Sequence, residues 1–180
     1  DPTGEFTVVW PREHGVEYDL DHAVIGGQDR WLITHNREAP DFTVVSVPVD
    51  APLSTPETLI PHEPGRRVEG VDAYAAFLTL DYRREGLPRT AIARLEGVEP
   101  HRLLAEQLHW DELVVPVHGG PDALASVGTR GNPEWHQPTL RIGWVSFIEP
   151  TTVGQLDVAT GAITVLKRQP VLGDFATEEY

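Results

Sequence analysis

Short runs in which apolar and β-branched residues alternate with polar ones recur along most of the chain. Runs of this kind, bounded by Gly and Pro, are typical of antiparallel strands, because successive side chains of a strand point to opposite faces of its sheet. The pattern predicts a strand at 6–10 that ends at Pro11, and then three groups of four strands. The groups are 18–25, 30–35, 42–49 and 58–61; then 68–74, 76–82, 89–95 and 113–118; then 123–128, 140–147, 153–157 and 163–168.

Glycine marks the predicted turns between these strands. Residues 26–29, 84–86 and 157–161 each contain Gly, which readily takes the positive φ that closes a tight hairpin, and the last of these loops predicts a hairpin with a bulge. Residues 99–111 depart from the strand pattern, because Leu104 and Leu108 have helical spacing after Pro100 and Leu103. This segment predicts a short helix inserted in a loop.

The predicted strands together indicate an all-β fold. Four-stranded units that repeat about every 45 to 60 residues are typical of propeller blades, so the chain is predicted to hold about three four-stranded antiparallel blades. A β-sandwich of about twelve strands is the alternative architecture.

Composition narrows the class of protein. The 180 residues include 16 Gly and 16 Pro, which argues against a helical bundle, and 40% hydrophobic residues, which is enough for a core. No apolar run approaches the roughly 18 residues that span a bilayer, and no secretory leader opens the chain, so membrane insertion is not expected. The absence of Cys excludes disulfides, thiolate zinc sites and thiol nucleophiles. The absence of Met predicts that this is an internal piece of a longer polypeptide.

The net charge of −14 disfavours some partners and favours others. A phosphate backbone would be repelled, so no nucleic-acid binding is expected. The main interpretation is an acidic cytoplasmic surface, and the sharper one is attraction of basic peptides.

Several short motifs resemble catalytic or metal-binding patterns. Of the four serines, Ser126 comes nearest to a nucleophile elbow but lacks the first Gly, and it is predicted to be a strand residue. Residues 118–121, His-Gly-Gly-Pro, could form an oxyanion hole but are predicted to be a turn. Residues 14–22 hold His14, His22 and acidic residues, which we interpret as a polar blade edge or inter-blade hydrogen bonding. No metal site and no cofactor is predicted, with a metal-dependent hydrolase kept as an alternative.

Nine stretches, in order along nearly the whole chain, carry a resemblance to a known family. They are residues 17–22, 31–42, 59–62, 68–72, 82–87, 131–135, 140–153, 157–161 and 166–175. With these stretches the chain resembles the β-propeller of the prolyl oligopeptidase family of serine peptidases, and most closely its oligopeptidase B (protease II) branch. Residues 98–111 depart from the resemblance and look like an insertion.

The resemblance implies a two-domain enzyme. An α/β-hydrolase domain would carry the Ser, Asp and His, and a seven-bladed propeller would cover it and admit only short peptides, with cleavage after Arg or Lys. The chain would hold blades at about 11–64, 65–118 and 119–170, after the end of a preceding blade at 1–10. Residues 171–180 would begin the linker to a hydrolase domain that is not in this chain.

Function and partners follow from this resemblance. No catalytic residue is predicted in the chain, so it should be inactive alone, and the alternative is a stand-alone propeller-like interaction module. Asp81, Arg83, Arg84 and Glu85 form a charged group at a strand end, which we interpret as a solvated hairpin tip with weak local ion pairs. Contact with the hydrolase domain or with a peptide substrate is the functional alternative for these four residues. Trp31, Trp135 and Trp144 are predicted to pack in the blades.

Three blades would leave two apolar faces uncovered, which predicts that the isolated piece self-associates or is only marginally stable.

Overall fold

The computed structural model describes residues 4–99, 104–120 and 123–173. Within these residues the chain forms twelve β-strands and one short helix. The strands are β1 (Tyr18–Ile25), β2 (Gln28–His35), β3 (Thr43–Pro48), β4 (Glu57–Ile60), β5 (Arg66–Ala73), β6 (Phe77–Arg84), β7 (Leu87–Arg94), β8 (Trp110–Glu112), β9 (Ala125–Thr129), β10 (Thr139–Ser146), β11 (Thr152–Asp157) and β12 (Ile163–Arg168), and the helix is α1 (Leu104–Gln107).

The strands form three separate four-stranded antiparallel sheets. Sheet 1 has the order β1-β2-β3-β4, sheet 2 has β5-β6-β7-β8, and sheet 3 has β9-β10-β11-β12. Each sheet is a meander in which every strand pairs with the next one along the chain. The three sheets stack in series, which confirms the predicted partial propeller rather than a two-sheet sandwich.

Two-residue turns link the first two strands of sheet 1 and the middle strands of sheet 2. Gly26 and Gly27 have φ of 58° and 77°, and Glu85 and Gly86 have φ of 54° and 79°. Positive φ at both central residues is the type I′ geometry, whose twist matches that of the flanking strands. In the β11–β12 loop Gly161 has φ of 75°, and its N–H donates to the Asp157 carbonyl at 2.8 Å. All three turns lie where the sequence predicts them.

The structure corrects three predicted elements. Residues 6–10 form no strand, because Val9 and Trp10 pack against the face of sheet 1 instead of pairing with an edge. The fourth strand of sheet 2 is β8 rather than 113–118, where Pro116 has no N–H to donate. The described part of the predicted helix is helical only over α1, since the chain enters β8 at Trp110, and residues 100–103 lie outside the described residues.

Two apolar clusters hold the three sheets together. The first joins sheets 1 and 2 and includes Leu32, Val44, Leu78 and Leu80, with Leu104 of α1 packed into it. The second joins sheets 2 and 3 and includes Phe77, Ile92, Leu140, Ile142 and Trp144. Both clusters draw on alternate residues of neighbouring strands, as expected for strands that bury one face against the next sheet.

The outer face of sheet 1 is covered by the segment that precedes it. Ile33, Val45 and Val47 are buried on this face, with Val9 and Trp10 packed against them. The expected uncovered apolar face is therefore absent at sheet 1.

The other free face belongs to sheet 3, and we call it the far face. It carries Arg141, Val145, Val153, Gln155 and Lys167, because the residues that alternate with them point into the second cluster. Arg130 also lies here, against Gly143 of β10. The far face thus mixes charged and polar side chains with the apolar Val145 and Val153, and the self-association of the isolated piece stays a prediction.

Equivalent strands of sheets 2 and 3 run in the same direction. Arg89, near the start of β7, donates to the carbonyl of Ala125 at the start of β9, and Arg94, at the end of β7, donates to the Val158 carbonyl just after β11. The turn at Glu85 and Gly86 therefore lies on the side of the sheets where β12 ends. We call this side, with residues 36–42, 61–65, 85–86 and 147–151, the exit face.

In the described part of the chain, no helix has the length and apolar character needed to cross a membrane.

Candidate interdomain face

The hairpin tip of sheet 2 presents three of the four predicted site residues. Arg83 and Arg84 end β6, and Glu85 lies in the tight turn that follows, so all three are exposed on the exit face. The Glu85 side chain forms no hydrogen bond or ion pair with other described residues. All three side chains are accessible to a surface placed over the exit face.

Arg83 and Arg84 have partners within sheet 2. The Arg83 Nε lies 2.6 Å from Glu69 Oε1, and the Arg84 Nη1 lies 3.6 Å from Glu112 Oε2. Both arginine side chains are nearly half exposed, at 48% and 47%, so these pairs contribute little to stability. The same pairs hold the guanidinium groups in position along the tip.

Asp81 is separated from this group by the structure. Its carboxylate accepts hydrogen bonds from Thr90 Oγ1 in sheet 2 and from Thr129 Oγ1 in sheet 3, the latter at 3.0 Å. Thr90 is fully buried. Asp81 thus links two sheets and does not lie with the exposed tip.

The acidic residues of β1 have structural partners. Asp21 accepts from its neighbour His22 N at 2.9 Å and from Ala73 N of β5 at 2.7 Å, which joins sheets 1 and 2. His22 Nε2 lies 2.8 Å from Asp29 Oδ1 across the β1–β2 hairpin. The interpretation of this stretch as inter-blade hydrogen bonding is confirmed at Asp21. Among the described residues, no three His, Asp or Glu side chains converge as a metal ion would require.

An acidic recess where sheets 1 and 2 meet the β9–β10 loop of sheet 3 was missed by the sequence reasoning. Asp21, Asp72, Tyr74 and Trp135 line a cavity of about 170 Å³. Burial, followed by the charges of Asp21, Asp81 and Asp19, raises the pKa of Asp72, and burial followed by the nearby aspartates raises the pKa of Tyr74 to about 12. The alternation of Asp19 and Asp21 along β1 was the available signal, but the approach of Asp72 required the packing of β5 on β1.

The serines and the His-Gly-Gly-Pro segment form no catalytic arrangement in the described residues. Ser46 accepts from Arg30 Nε at 2.7 Å, Ser146 accepts from two backbone N–H groups, and Ser126 lies within β9 as predicted. No serine hydroxyl in the described ranges is hydrogen-bonded to a histidine. Gly119 and Gly120 form the predicted turn, with φ of 88° and 66°, and Pro121 lies outside the described residues.

Comparison with known proteins gives the family. A family model described as the prolyl oligopeptidase N-terminal beta-propeller domain matches residues 1–169. The chain belongs to this family. Its three sheets are blades of that propeller, and the exit face is the side on which the last described blade ends.

Individual relatives of this family agree with the assignment. Dipeptidyl aminopeptidase BI from Pseudoxanthomonas mexicana is 29% identical over 172 residues, which is 94% of this chain and 21% of that protein. The closed form of oligopeptidase B from Trypanosoma brucei, with covalently bound antipain, superposes with a TM-score of 0.78 at 26% identity over 94% of this chain and 23% of that one. Oligopeptidase B from Leishmania major has a TM-score of 0.77 at 22% identity, over 94% of this chain and 23% of its own. The chain therefore spans about a fifth of the length of these relatives.

Proposed function

We propose that this chain is the gating portion of a cytoplasmic serine oligopeptidase that cleaves short peptides after Arg or Lys. The observation that carries the proposal is the family match over residues 1–169, joined to the likeness to oligopeptidase B at a TM-score of 0.78. The hydrolase domain that performs the cleavage would lie outside this chain. The propeller's role would be to limit which peptides reach that domain.

We assign the contact with the hydrolase domain to the tip residues Arg83, Arg84 and Glu85. They are exposed on the exit face, the side of the sheets where β12 ends. The assignment of residues 171–180 to the start of the linker is part of the same proposal. The division of the chain into blades at about 11–64, 65–118 and 119–170 belongs to the same proposal.

Reporter peptides test the activity in the longer polypeptide and in the 180-residue chain. Amino-blocked fluorogenic amides that end in Arg, Lys or Pro should show cleavage of the Arg and Lys reporters by the longer polypeptide, and none by this chain. Preference for the Pro reporter would reject the assigned specificity. Cleavage only of dipeptide reporters with a free amino terminus would instead favour a dipeptidyl aminopeptidase, which the relative from Pseudoxanthomonas mexicana makes the second candidate.

A charge reversal at the tip tests the contact. In the longer polypeptide, Arg83→Glu combined with Glu85→Arg should change kcat or KM for the Arg reporter several-fold, since charges on an interdomain contact would be mismatched. Glu96→Arg is the control, because that glutamate is exposed just beyond the end of β7, on the side of sheet 2 opposite the tip. Equal kinetics for the tip variant and the unaltered enzyme would reject the contact.

A further inference from the structure

A cavity of about 320 Å³ lies between the first strands of sheets 1 and 2, and we call it the β1–β5 cavity. Its lining comes from the start of β1, the end of β2, the loop before β3 and the start of β5. These segments all lie at the exit-face end of their sheets, next to the surface that the proposed hydrolase domain would cover. The residues that matter here are Glu17, Asp19, Thr34, Phe42, Arg67 and Glu69.

The charged groups of this lining leave an excess of negative charge. The carboxylates of Glu17, Asp19 and Glu69 line the cavity. They face one lining guanidinium, that of Arg67. Arg83 lies outside the lining and pairs with Glu69 at 2.6 Å. With that pair set aside, two carboxylates still face one guanidinium, so a single cation would balance the lining.

The remaining two carboxylates keep unused acceptor capacity. Asp19 Oδ1 accepts from the Leu20 N–H at 2.9 Å, and its Oδ2 has no partner among the described residues. The Glu17 carboxylate has no hydrogen bond or ion pair within the described ranges. The Arg67 guanidinium lies over the Phe42 ring at 4.7 Å and pairs with neither of them.

Thr34 supplies a neutral acceptor beside Asp19. The two are register partners across β1 and β2, and both point toward sheet 2, because Leu32 on the same side of β2 packs in the cluster between sheets 1 and 2. Thr34 is only 5% exposed, and its hydroxyl makes no hydrogen bond to any described residue. The hydroxyl oxygen is not sealed by protein atoms, so it can be reached from the cavity. A nearly buried hydroxyl without a partner calls for a ligand that hydrogen-bonds to it.

We propose that the β1–β5 cavity binds the guanidinium group of an arginine side chain in a peptide. Register partners in a sheet have Cβ atoms about 5 Å apart, so the planar fork of a guanidinium can donate to the Asp19 carboxylate and the Thr34 hydroxyl together. The aliphatic stem would lie against Phe42 and the buried Val68. The proposal rests on the proposed function only in taking a peptide as the source of the arginine, which would be a residue other than the one at the cleaved bond.

Calorimetric titration of the 180-residue chain tests the proposal with end-blocked tripeptides. Acetyl-Ala-Arg-Ala-amide should bind at least about tenfold more tightly than its citrulline counterpart, which has the same shape without the charge. The lysine counterpart should bind more weakly than the arginine peptide, since an ammonium lacks the fork. Butylguanidinium should also bind more weakly, because it lacks the peptide backbone.

Three outcomes of this titration would overturn the proposal. Equal affinity for the arginine and citrulline peptides would remove the charge argument, and equal affinity for the lysine peptide would reject the guanidinium. Butylguanidinium binding as tightly as the arginine peptide would reject a peptide as the source. The titration involves no cleavage, so its failure leaves the proposed function standing, and failure of the reporter assay leaves the cavity's binding standing.

A pair of substitutions locates the binding in the β1–β5 cavity. Asp19→Asn should weaken binding of the arginine peptide at least about tenfold, and the fold should persist because Asp19 is exposed. Asp50→Asn is the matched control, since it makes the same change of charge at an exposed residue of the β3–β4 loop, at the opposite end of sheet 1. Unchanged affinity in Asp19→Asn, with circular dichroism showing a native fold, would place the ligand elsewhere and reject the site.

A substitution that strengthens binding covers the possibility that a weakened variant is merely unfolded. Arg67→Gln removes the lining cation that competes with the ligand, so it should tighten binding of the arginine peptide several-fold. Arg12→Gln is the matched control, because Arg12 is exposed and does not line the cavity, and it should leave the affinity unchanged. Unchanged or weaker binding in Arg67→Gln would contradict the charge balance of the cavity and overturn the proposal.

Discussion

Individual side chains of β6 show how position along a strand separates neighbouring charged residues. Asp81 points toward sheet 3 and accepts hydrogen bonds from two threonines, while Arg83 and Arg84 reach solvent beyond the edge of the core. A buried hydroxyl that loses its acceptor keeps its full desolvation penalty, whereas an exposed ion pair is largely screened by water. Neighbours in the sequence therefore differ sharply in their expected contribution to stability.

Replacing Asp81 by Ala should lower the free energy of unfolding by about 1–3 kcal/mol, because the buried Thr90 hydroxyl and Thr129 both lose their acceptor. Urea denaturation measures the change. Arg83→Ala, two residues along the same strand, should cost less than about 0.5 kcal/mol. Similar values for the two variants would mean that Asp81 does not link the sheets as described.

His35 makes the attachment of the N-terminal segment sensitive to pH. The ring is buried and lies 4.8 Å from the Trp10 ring, and its Nδ1 accepts from the Arg37 N–H at 3.2 Å. Burial, and then the charge of Arg37, lowers the pKa of His35 below its usual 6.5. The unfolded chain therefore takes up this proton first as the pH falls. The free energy of unfolding is highest above pH 6.5 and decreases as the pH falls from 6.5 to the lower pKa of the folded state.

Lowering the pH from about 7.5 to about 5.5 should therefore cost the native chain on the order of 1 kcal/mol more than it costs His35→Phe, which keeps a ring but cannot be protonated. Thermal unfolding of both proteins at the two pH values measures the difference. An identical pH dependence in the two would show that His35 is not the responsible group.

At the scale of elements, close approach between strands decides where glycine is needed. Gly154 of β11 lies beneath Trp144 of β10, and a Cβ built there would be 2.7 Å from the ring and 3.2 Å from the Thr164 carbonyl oxygen. Trp144 is only 1% exposed and cannot move aside without disturbing the cluster between sheets 2 and 3. Gly128 of β9, in the same sheet, has nothing within 4 Å of its Cβ position.

Gly154→Ala should destabilise the chain by about 1–3 kcal/mol, through overpacking against the Trp144 ring. Gly128→Ala is the control and should change stability by less than about 0.5 kcal/mol. Denaturant unfolding compares the two, and a change in near-ultraviolet circular dichroism confined to Gly154→Ala would report the displaced indole. A neutral Gly154→Ala would contradict the described packing.

At the scale of the whole molecule, the far face differs from the rest of the surface in its charge. Arg130, Arg141 and Lys167 lie on the far face, and none of them has a carboxylate within ion-pair distance among the described residues. The chain as a whole carries a net charge of −14. A positive face on an acidic molecule is complementary to other surfaces of a second copy.

We therefore expect the isolated chain to self-associate through contacts that weaken with salt, because exposed charges are screened over about 10 Å at roughly 0.1 M ionic strength. Light scattering should give a mass above 19.9 kDa at low salt that falls as salt is added. Arg130→Glu with Arg141→Glu should abolish the association, whereas Arg12→Glu with Arg67→Glu, equal in charge but away from this face, should retain it. A compact monomer at every salt concentration would reject this prediction.

The sequence by itself determined the all-β class, the grouping of strands in fours, the tight turns and the family resemblance. Each depends on residues close together in the chain: alternation defines a strand, and Gly in a short loop allows its turn. Only the tertiary structure decided that Trp10 covers sheet 1, that Asp81 leaves the group formed by Arg83, Arg84 and Glu85, and that Asp19 and Thr34 meet Arg67 around one cavity. These contacts join residues from different strands and sheets, so they depend on how whole sheets pack, which local periodicity does not specify.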